Sequence, residues 1–164
     1  MKILLDSVNE WNLKTVMEIE RSSFSLSEAA SISAMKQRQH QIPETFLEAF
    51  VNFKLVGFIV GPAISRRYLT DDLFSSVTKN FSANQAPYQA VLSLAVAPAY
   101  RKKGIASQLL QALIAQAQDA GRQGVTLTCL PTLITFYQKN GFQDEGIAES
   151  KHADETWHNL FLQL

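Results

Sequence analysis

The stretch Leu92–Gly104, reading LSLAVAPAYRKKG, passes directly into Ile105-Ala106-Ser107 and a long amphipathic run. Tyr88–Val96 is apolar on both faces, the pattern of a strand buried in the middle of a sheet. Pro98 lacks an N–H and ends the ladder just after it. Beyond the basic turn, Ile105, Leu109, Leu110, Leu113, Ile114 and Ala117 recur at helical spacing. They predict a helix from Gly104 to about Ala120, stopped by Gly121 and Gly124. A strand that feeds a helix N-terminus through a glycine turn builds an anion site from main-chain N–H groups. The amides of residues 102–107 point at that site, with Gly104 permitting close approach and Ala106 keeping the next turn clear. Arg101, Lys102 and Lys103 add charge at its rim, although an ordinary helix start with solvated basic residues has the same composition.

Downstream comes Phe136-Tyr137-Gln138-Lys139-Asn140-Gly141-Phe142, which puts a phenol on a short helix, Thr132–Asn140, with Gly141 as its terminating residue. Together the two elements point to a pyrophosphate-bearing thioester and a proton donor for its leaving group. Nucleotide sites fit less well: the dinucleotide fingerprint lacks its other glycines, and a Walker loop lacks its Gly-Lys-Ser/Thr. Phe136 and Phe142 read as packing residues. A core tyrosine with one structural hydrogen bond is the competing account of Tyr137.

Working outward, Lys2–Leu5 reads as an edge strand, and Asp6 or Ser7 as the cap of a helix carrying Val8, Trp11, Leu13, Val16, Met17 and Ile19. A second helix is expected after Ser27, with Glu28 in its first turn, ending before Pro43. Thr45–Asn52 and Leu55–Ala63 read as strands around a tight turn, and Thr70–Phe81 as a short helix in a long connection. Val125–Leu130 is a strand closed by Pro131; Phe142–Glu149 and Thr156–Leu164 form an antiparallel pair. Alternating strands and helices with hairpins at both ends imply an α/β fold of α+β type, a mixed, mostly antiparallel central sheet flanked by helices. Its 164 residues suit one domain, 1–164.

Fifteen basic and fifteen acidic residues give a net charge of +0, which argues against a nucleic-acid partner. The lone Cys129 excludes an internal disulfide and fits a reducing compartment. The opening MKILLDSVNEW is broken by Asp6 and Glu10, unlike a signal peptide or membrane span, so a soluble cytoplasmic protein is expected, with no membrane partner.

The pattern Arg101-x-x-Gly104-x-Ala106, after Leu94-Ala95-Val96 and before FYQKNGF, resembles the GNAT superfamily of acyl-CoA-dependent N-acetyltransferases. The resemblance is firm over roughly residues 88–142. It implies acetyl-CoA as cosubstrate and no metal. The main chain of Leu94, Ala95 and Val96 would pair with the pantetheine arm beside a splay in the sheet, and residues 101–107 would hold the pyrophosphate. Tyr137 would be the general acid. A phenol is about 1.5 pKa units weaker an acid than a thiol, so protonating the departing thiolate costs about 2 kcal/mol before tuning.

Ile19–Phe24, Gly57–Gly61, Leu69–Leu73 and Thr126–Phe142 are similar more narrowly to the arylalkylamine (serotonin-type) N-acetyltransferase branch. That branch uses two histidines on the central strand to remove the amine's proton. The matching positions here are Ala90 and Leu92, and the branch's acidic residue after the next strand is replaced near Leu130. An alkylammonium with a pKa of about 10.4 costs about 4.6 kcal/mol to deprotonate at pH 7, so the missing base matters. Tyr88, on the face of Ala90 and Leu92 by alternation, is one anchor for a water chain; Glu20, Glu28 and His40 are others, each equally a surface polar group. The apolar Ala90 and Leu92 favour a hydrophobic acceptor.

The implied reaction is acetyl transfer to a small-molecule amine, with arylalkylamines among the candidates, in a ternary complex. A protein or peptide N-terminus as acceptor, and a non-catalytic acyl-CoA-binding module, are the alternatives. Monomer and homodimer both stay open. The Arg66–Pro87 connection is long enough to be a substrate lid or a surface elaboration. Cys129 reads as a small core residue, and His152 and His158 lack a third ligand for a metal.

Overall fold

The computed structural model describes residues 1–164. Nine strands form two sheets, and neighbouring strands within each are antiparallel with one exception. The first sheet has the order β1-β2-β3-β6, from Ile3–Ser7, Phe46–Val51, Lys54–Val60 and Ser93–Val96. The second has the order β4-β5-β7-β9-β8, from Ala63–Ile64, Tyr88–Val91, Gly124–Cys129, His158–Gln163 and Gln143–Ile147. Its β5–β7 pair is parallel, joined through helix α3 (Ile105–Asp119). Helices α1 (Leu13–Ser23) and α2 (Ile32–Gln41) cover one face of the first sheet, and α4 (Ile134–Lys139) follows β7. No helix is long and apolar enough to cross a membrane.

β3 explains how two cores form around one sheet. Leu55, Phe58 and Val60 turn towards Val16, Met17, Met35 and Phe46 of the α1–α2 side, whereas Val56 and Ile59 turn towards Leu109, Leu110 and Leu113 of α3. Alternation along the strand, shifted by one residue at the irregularity opposite Ala49 and Phe50, therefore buries both faces. The α3 stripe Ile105, Leu109, Leu110, Leu113, Ile114 and Ala117 is buried throughout, as its spacing predicts.

The central run Tyr88–Val96 is not one strand. It breaks at Leu92 into β5, which belongs to the second sheet, and β6, which ends the first. Gly61 lies across the break: a Cβ there would stand 1.9 Å from the Ala90 carbonyl oxygen, so only glycine lets the chains pass this closely. Because β6 has only β3 as a neighbour, the sheets part beyond the last β5–β7 pair, Val91 with Leu127.

Other expected boundaries also shift. The first helix starts at Leu13 after a 3-10 turn, Glu10–Asn12, whose cap is Asn9 rather than Asp6 or Ser7. The second starts at Ile32 because the Ser31 hydroxyl accepts from the Ala34 amide, so Glu28 precedes it. Instead, the Glu28 carboxylate accepts from the Ser25 amide and stabilises the intervening turn. The helix expected over Thr70–Phe81 is one 3-10 turn, Asp71–Phe74. The rest is fixed by side chains: Gln37 accepts from the Val77 amide, and Asn80 bonds to Ala63, Glu44 and Thr45. Arg67 clasps Glu145 of β8 with two bonds of 3.0 and 2.7 Å while its guanidinium lies 3.6 Å from the Phe161 ring centre. The long connection is therefore stitched to the body along its length.

Candidate active site

Where the sheets part, a cavity of about 510 Å³ opens between Leu92, Ser93 and Leu94 on one side and Leu127, Thr128 and Cys129 on the other. The α1–α2 connection and the 66–87 connection contribute Phe24, Ala30 and Phe74 to its lining, joined by His152 and Trp157 from the β8–β9 connection. The free edge of β6 along Leu94, Ala95 and Val96 borders this parting with main-chain groups that no strand pairs.

At the end of β6 the chain turns through Lys102 and Gly104, both left-handed with φ of 60° and 82°, into α3. Such alternation gathers successive N–H groups into a concave nest. The amides of Lys102, Lys103, Gly104, Ile105, Ala106 and Ser107 donate to no acceptor within the chain; the first helical bond is Gln108 N–H to the Gly104 carbonyl, at 3.1 Å. Open donors at the positive end of a helix dipole fit a diphosphate. Arg101 differs from its neighbours. Its Nε donates to the Val96 carbonyl at 2.9 Å, and its Nη2 reaches the Ser22 carbonyl and Ser23 hydroxyl, so this guanidinium ties α1 to the end of β6. Lys102 and Lys103 are left to supply rim charge.

Tyr137, on α4, is buried between the edges of Phe136 and Phe142, with centroids at 5.0 and 5.7 Å, and lines the cavity beside Cys129. Burial pushes its phenol above the ordinary tyrosine range, with Cys129 adding to the shift. The hydroxyl therefore carries its proton at neutral pH. Burial likewise pushes the Cys129 thiol up to about 12, which leaves no thiolate to act as a nucleophile.

The acceptor end is more polar than the sequence implied. Glu20 and Arg38 are each 1% exposed and meet at Ser93. Glu20 Oε2 accepts from the Ala30 amide at 2.8 Å and from the Ser93 hydroxyl at 3.2 Å; Arg38 donates to Ser93 Oγ and to the Phe74 carbonyl. Burial raises the Glu20 carboxyl above its usual range, opposed by the Ala30 amide, the Arg38 charge and Ser93. Arg38 had no signal in the sequence beyond its position on a weakly amphipathic helix.

Of the residues read as acceptor-side candidates, Leu92, Glu20 and Glu28 line the cavity. Tyr88 and Ala90 do not: the break at Leu92 ends the alternation that put them on one face. Tyr88 instead packs edge-on against Phe161 at 5.9 Å, and Ala90 is fully buried. His40 lies apart, lining a shallow surface cleft with Trp11 and Pro43. No three histidine, cysteine or carboxylate side chains gather closely enough to hold a metal ion.

The parted sheets, the nest and the phenol at their junction describe an acyltransferase architecture, and comparison with known proteins agrees. The acetyltransferase (GNAT) domain family matches residues 44–144, and this chain belongs to that family. The chain is 31% identical over 137 residues to serotonin N-acetyltransferase of Mesocricetus auratus, covering 80% of this chain and 63% of that protein. Among solved structures it shares the fold of Ard1 from Thermoplasma volcanium (TM-score 0.79, 20% identity, 100% of this chain and 99% of that one). It also shares the fold of Arabidopsis thaliana Naa50 in complex with the bisubstrate analogue CoA-Ac-MVNAL (TM-score 0.74, 17% identity, 100% of each chain).

Proposed function

We propose that the chain transfers an acetyl group from acetyl-CoA to a small primary amine with an apolar, arylalkyl-type side chain. The observation that carries this reading is the row of six unpartnered amides at residues 102–107, which follows the open edge of β6, whose other end borders the cavity that Tyr137 lines. The nest would hold the diphosphate, and Leu94, Ala95 and Val96 would bond to the pantetheine arm. A β6 N–H would polarise the thioester carbonyl. Bound there, acetyl-CoA supplies an activated acyl group. Tyr137 holds the proton that the leaving sulfur needs.

Family membership and the similarity to serotonin N-acetyltransferase support the amine as acceptor. The lining supports a small one: Phe24, Leu92, Phe74 and Trp157 give the cavity apolar walls that suit an aryl or alkyl side chain. The test is calorimetry with coenzyme A and acetyl-CoA, followed by thiol release with tryptamine, phenethylamine, polyamines and short peptides. Binding of both, with release driven best by the aryl amines, is the expected result. Peptides as the better acceptors would move the reading to N-terminal acetylation, and absence of acetyl-CoA binding would overturn it.

A further inference from the structure

His152 belongs to none of the motifs that define the family, yet it lines the cavity beside Glu20, Phe74 and Trp157. Its ring is held on three sides. Phe74 stacks against it at 4.4 Å with planes 12° apart, and Trp157 lies at 5.8 Å on a 41° tilt. Nε2 is 3.1 Å from the Glu28 carbonyl oxygen. The flanking backbone is fixed too: Asp71 accepts from the Ser150 hydroxyl and the Lys151 amide, and Trp157 Nε1 donates to the His152 carbonyl at 2.8 Å. Ala153 and Asp154, which follow it, both sit in the left-handed region at φ of 56° and 54°. A non-glycine residue there costs of order 1 kcal/mol or more and persists only when its surroundings impose it.

The hydrogen bond fixes the tautomer. A carbonyl oxygen only accepts, so Nε2 must carry hydrogen, and in the neutral ring Nδ1 is then the bare nitrogen. Nδ1 bonds to no group of the chain. An imidazole oriented through one nitrogen, with the other unbonded in a residue that lines the cavity, is suited to accept a proton.

Most other groups of the cavity do not fill that role. Arg38 has no lone pair to offer, and Tyr137 and Cys129 are held in their protonated forms. The Glu28 carboxylate is tied to its own turn through Oε1 by the Ser25 amide, and its Oε2 is the competing acceptor. Glu20 gives Oε2 to two donors, and its Oε1 is inaccessible. The charged groups around His152 are Glu20 and Arg38 from the two helices, Glu28 between them, Asp71 from the long connection, and Lys151 and Asp154 beside it.

We propose that His152 Nδ1 accepts the proton of the incoming ammonium, taking over the task for which the central strand offers only Ala90 and Leu92. This rests on the acetyl-transfer reading above. His152 takes one proton from R–NH3+, and the freed nitrogen lone pair forms the C–N bond at the thioester carbonyl. The C–S bond breaks and its pair leaves on sulfur. Tyr137 protonates that sulfur and recovers a proton from the second N–H of the attacking nitrogen. The balance is one amide, one thiol and one proton, which His152 returns to solvent.

The test compares the full-length protein with His152→Gln, using phenethylamine and the weakly basic 2,2,2-trifluoroethylamine across pH 6.5 to 9.5. His152→Gln should bind acetyl-CoA as the unmodified protein does and lose about 100-fold in kcat/KM for phenethylamine at pH 7. The deficit should shrink at least tenfold at pH 9.5 and for trifluoroethylamine, which arrives unprotonated. Equal losses for both amines at every pH, or no loss, would overturn the assignment. If the variant fails to bind acetyl-CoA, nitrogen-15 spectra of histidine in the unmodified protein decide. Protonated Nε2 with bare Nδ1 upholds the proposal, and the opposite tautomer overturns it. A protein that binds acetyl-CoA but acetylates no amine would instead defeat the parent reading, and this one with it.

Discussion

A phenol that protonates a thiolate must be protonated at working pH and must face the reacting sulfur. Burial secures the first for Tyr137 by pushing its ionisation upward, and its place in the cavity lining is what the proposed reaction relies on for the second. Tyr137→Phe removes one oxygen while leaving the contacts with Phe136 and Phe142 intact. Acetyl-CoA affinity by calorimetry should therefore stay within about twofold, and kcat should fall about 100-fold or more, in the range that one positioned proton donor supplies. An unaltered kcat would remove Tyr137 from the chemistry. Cys129 is its inert counterpart. With its thiol pushed up to about 12 by burial, it carries essentially no thiolate at pH 8. Ellman's reagent should leave it unmodified in the folded protein and titrate one thiol per chain once denaturant is added. Prompt labelling of folded protein would mean that this end of the cavity opens to solvent.

At the scale of elements, the start of α3 was legible because its signals are local: a basic turn, a glycine that can adopt a positive φ, and an apolar stripe at helical spacing. Gly104 indeed sits at φ 82°, and a Cβ there would meet nothing within 4 Å. Gly104→Ala thus introduces backbone strain without a clash, about 1 kcal/mol, which corresponds to a fall in Tm of about 2–4 °C for a chain of this size. The strain should also turn amides of the nest away, so acetyl-CoA binding should weaken several-fold in calorimetry while binding of acetyl-pantetheine, which lacks the diphosphate, stays the same. Equal weakening of both ligands would mean that the nest does not hold the phosphates. Other features were illegible because their causes lie far off in sequence. Tyr88–Val96 read as one strand since both its faces are apolar. The break at Leu92 goes with the close passage of Gly61 against Ala90, a contact between residues far apart in sequence that only glycine permits. The Thr70–Phe81 helix is one turn only: the Val77 amide donates to Gln37 instead of to a helical carbonyl, and Asn80 is drawn away to Ala63. His152 is oriented by a carbonyl 124 positions away, a pairing that no local pattern announces.

Across the whole molecule, two sheets and three connections meet around a polar knot in an apolar interior. Ser93 of β6 joins Glu20 of α1 to Arg38 of α2, donating to the carboxylate and accepting from the guanidinium, and Arg38 also holds the Phe74 carbonyl of the long connection. Buried charges of opposite sign seldom add net stability, but removing one partner leaves the other uncompensated, at about 3–5 kcal/mol. Arg38→Met should therefore destabilise the protein by that order in urea denaturation at pH 7 and loosen the Phe74 wall. The pH dependence identifies the cause. Burial already raises the Glu20 carboxyl above 4.5 in the intact protein, and the Arg38 charge holds that rise in check. Without Arg38 the folded-state value climbs further. Between the ordinary value and the raised one, the folded state binds more protons than the unfolded state, so stability must increase as pH falls through that window. The deficit of Arg38→Met should thus shrink from pH 7 to pH 5, more steeply than any change in the unmodified protein. Glu20→Gln combined with Arg38→Met should recover much of the loss at pH 7 and lose the extra pH dependence, because no buried charge remains to be neutralised. A deficit in Arg38→Met that stays constant with pH, and that Glu20→Gln does not relieve, would mean that Arg38 acts through packing and its bond to Phe74 rather than as the counter-charge of Glu20.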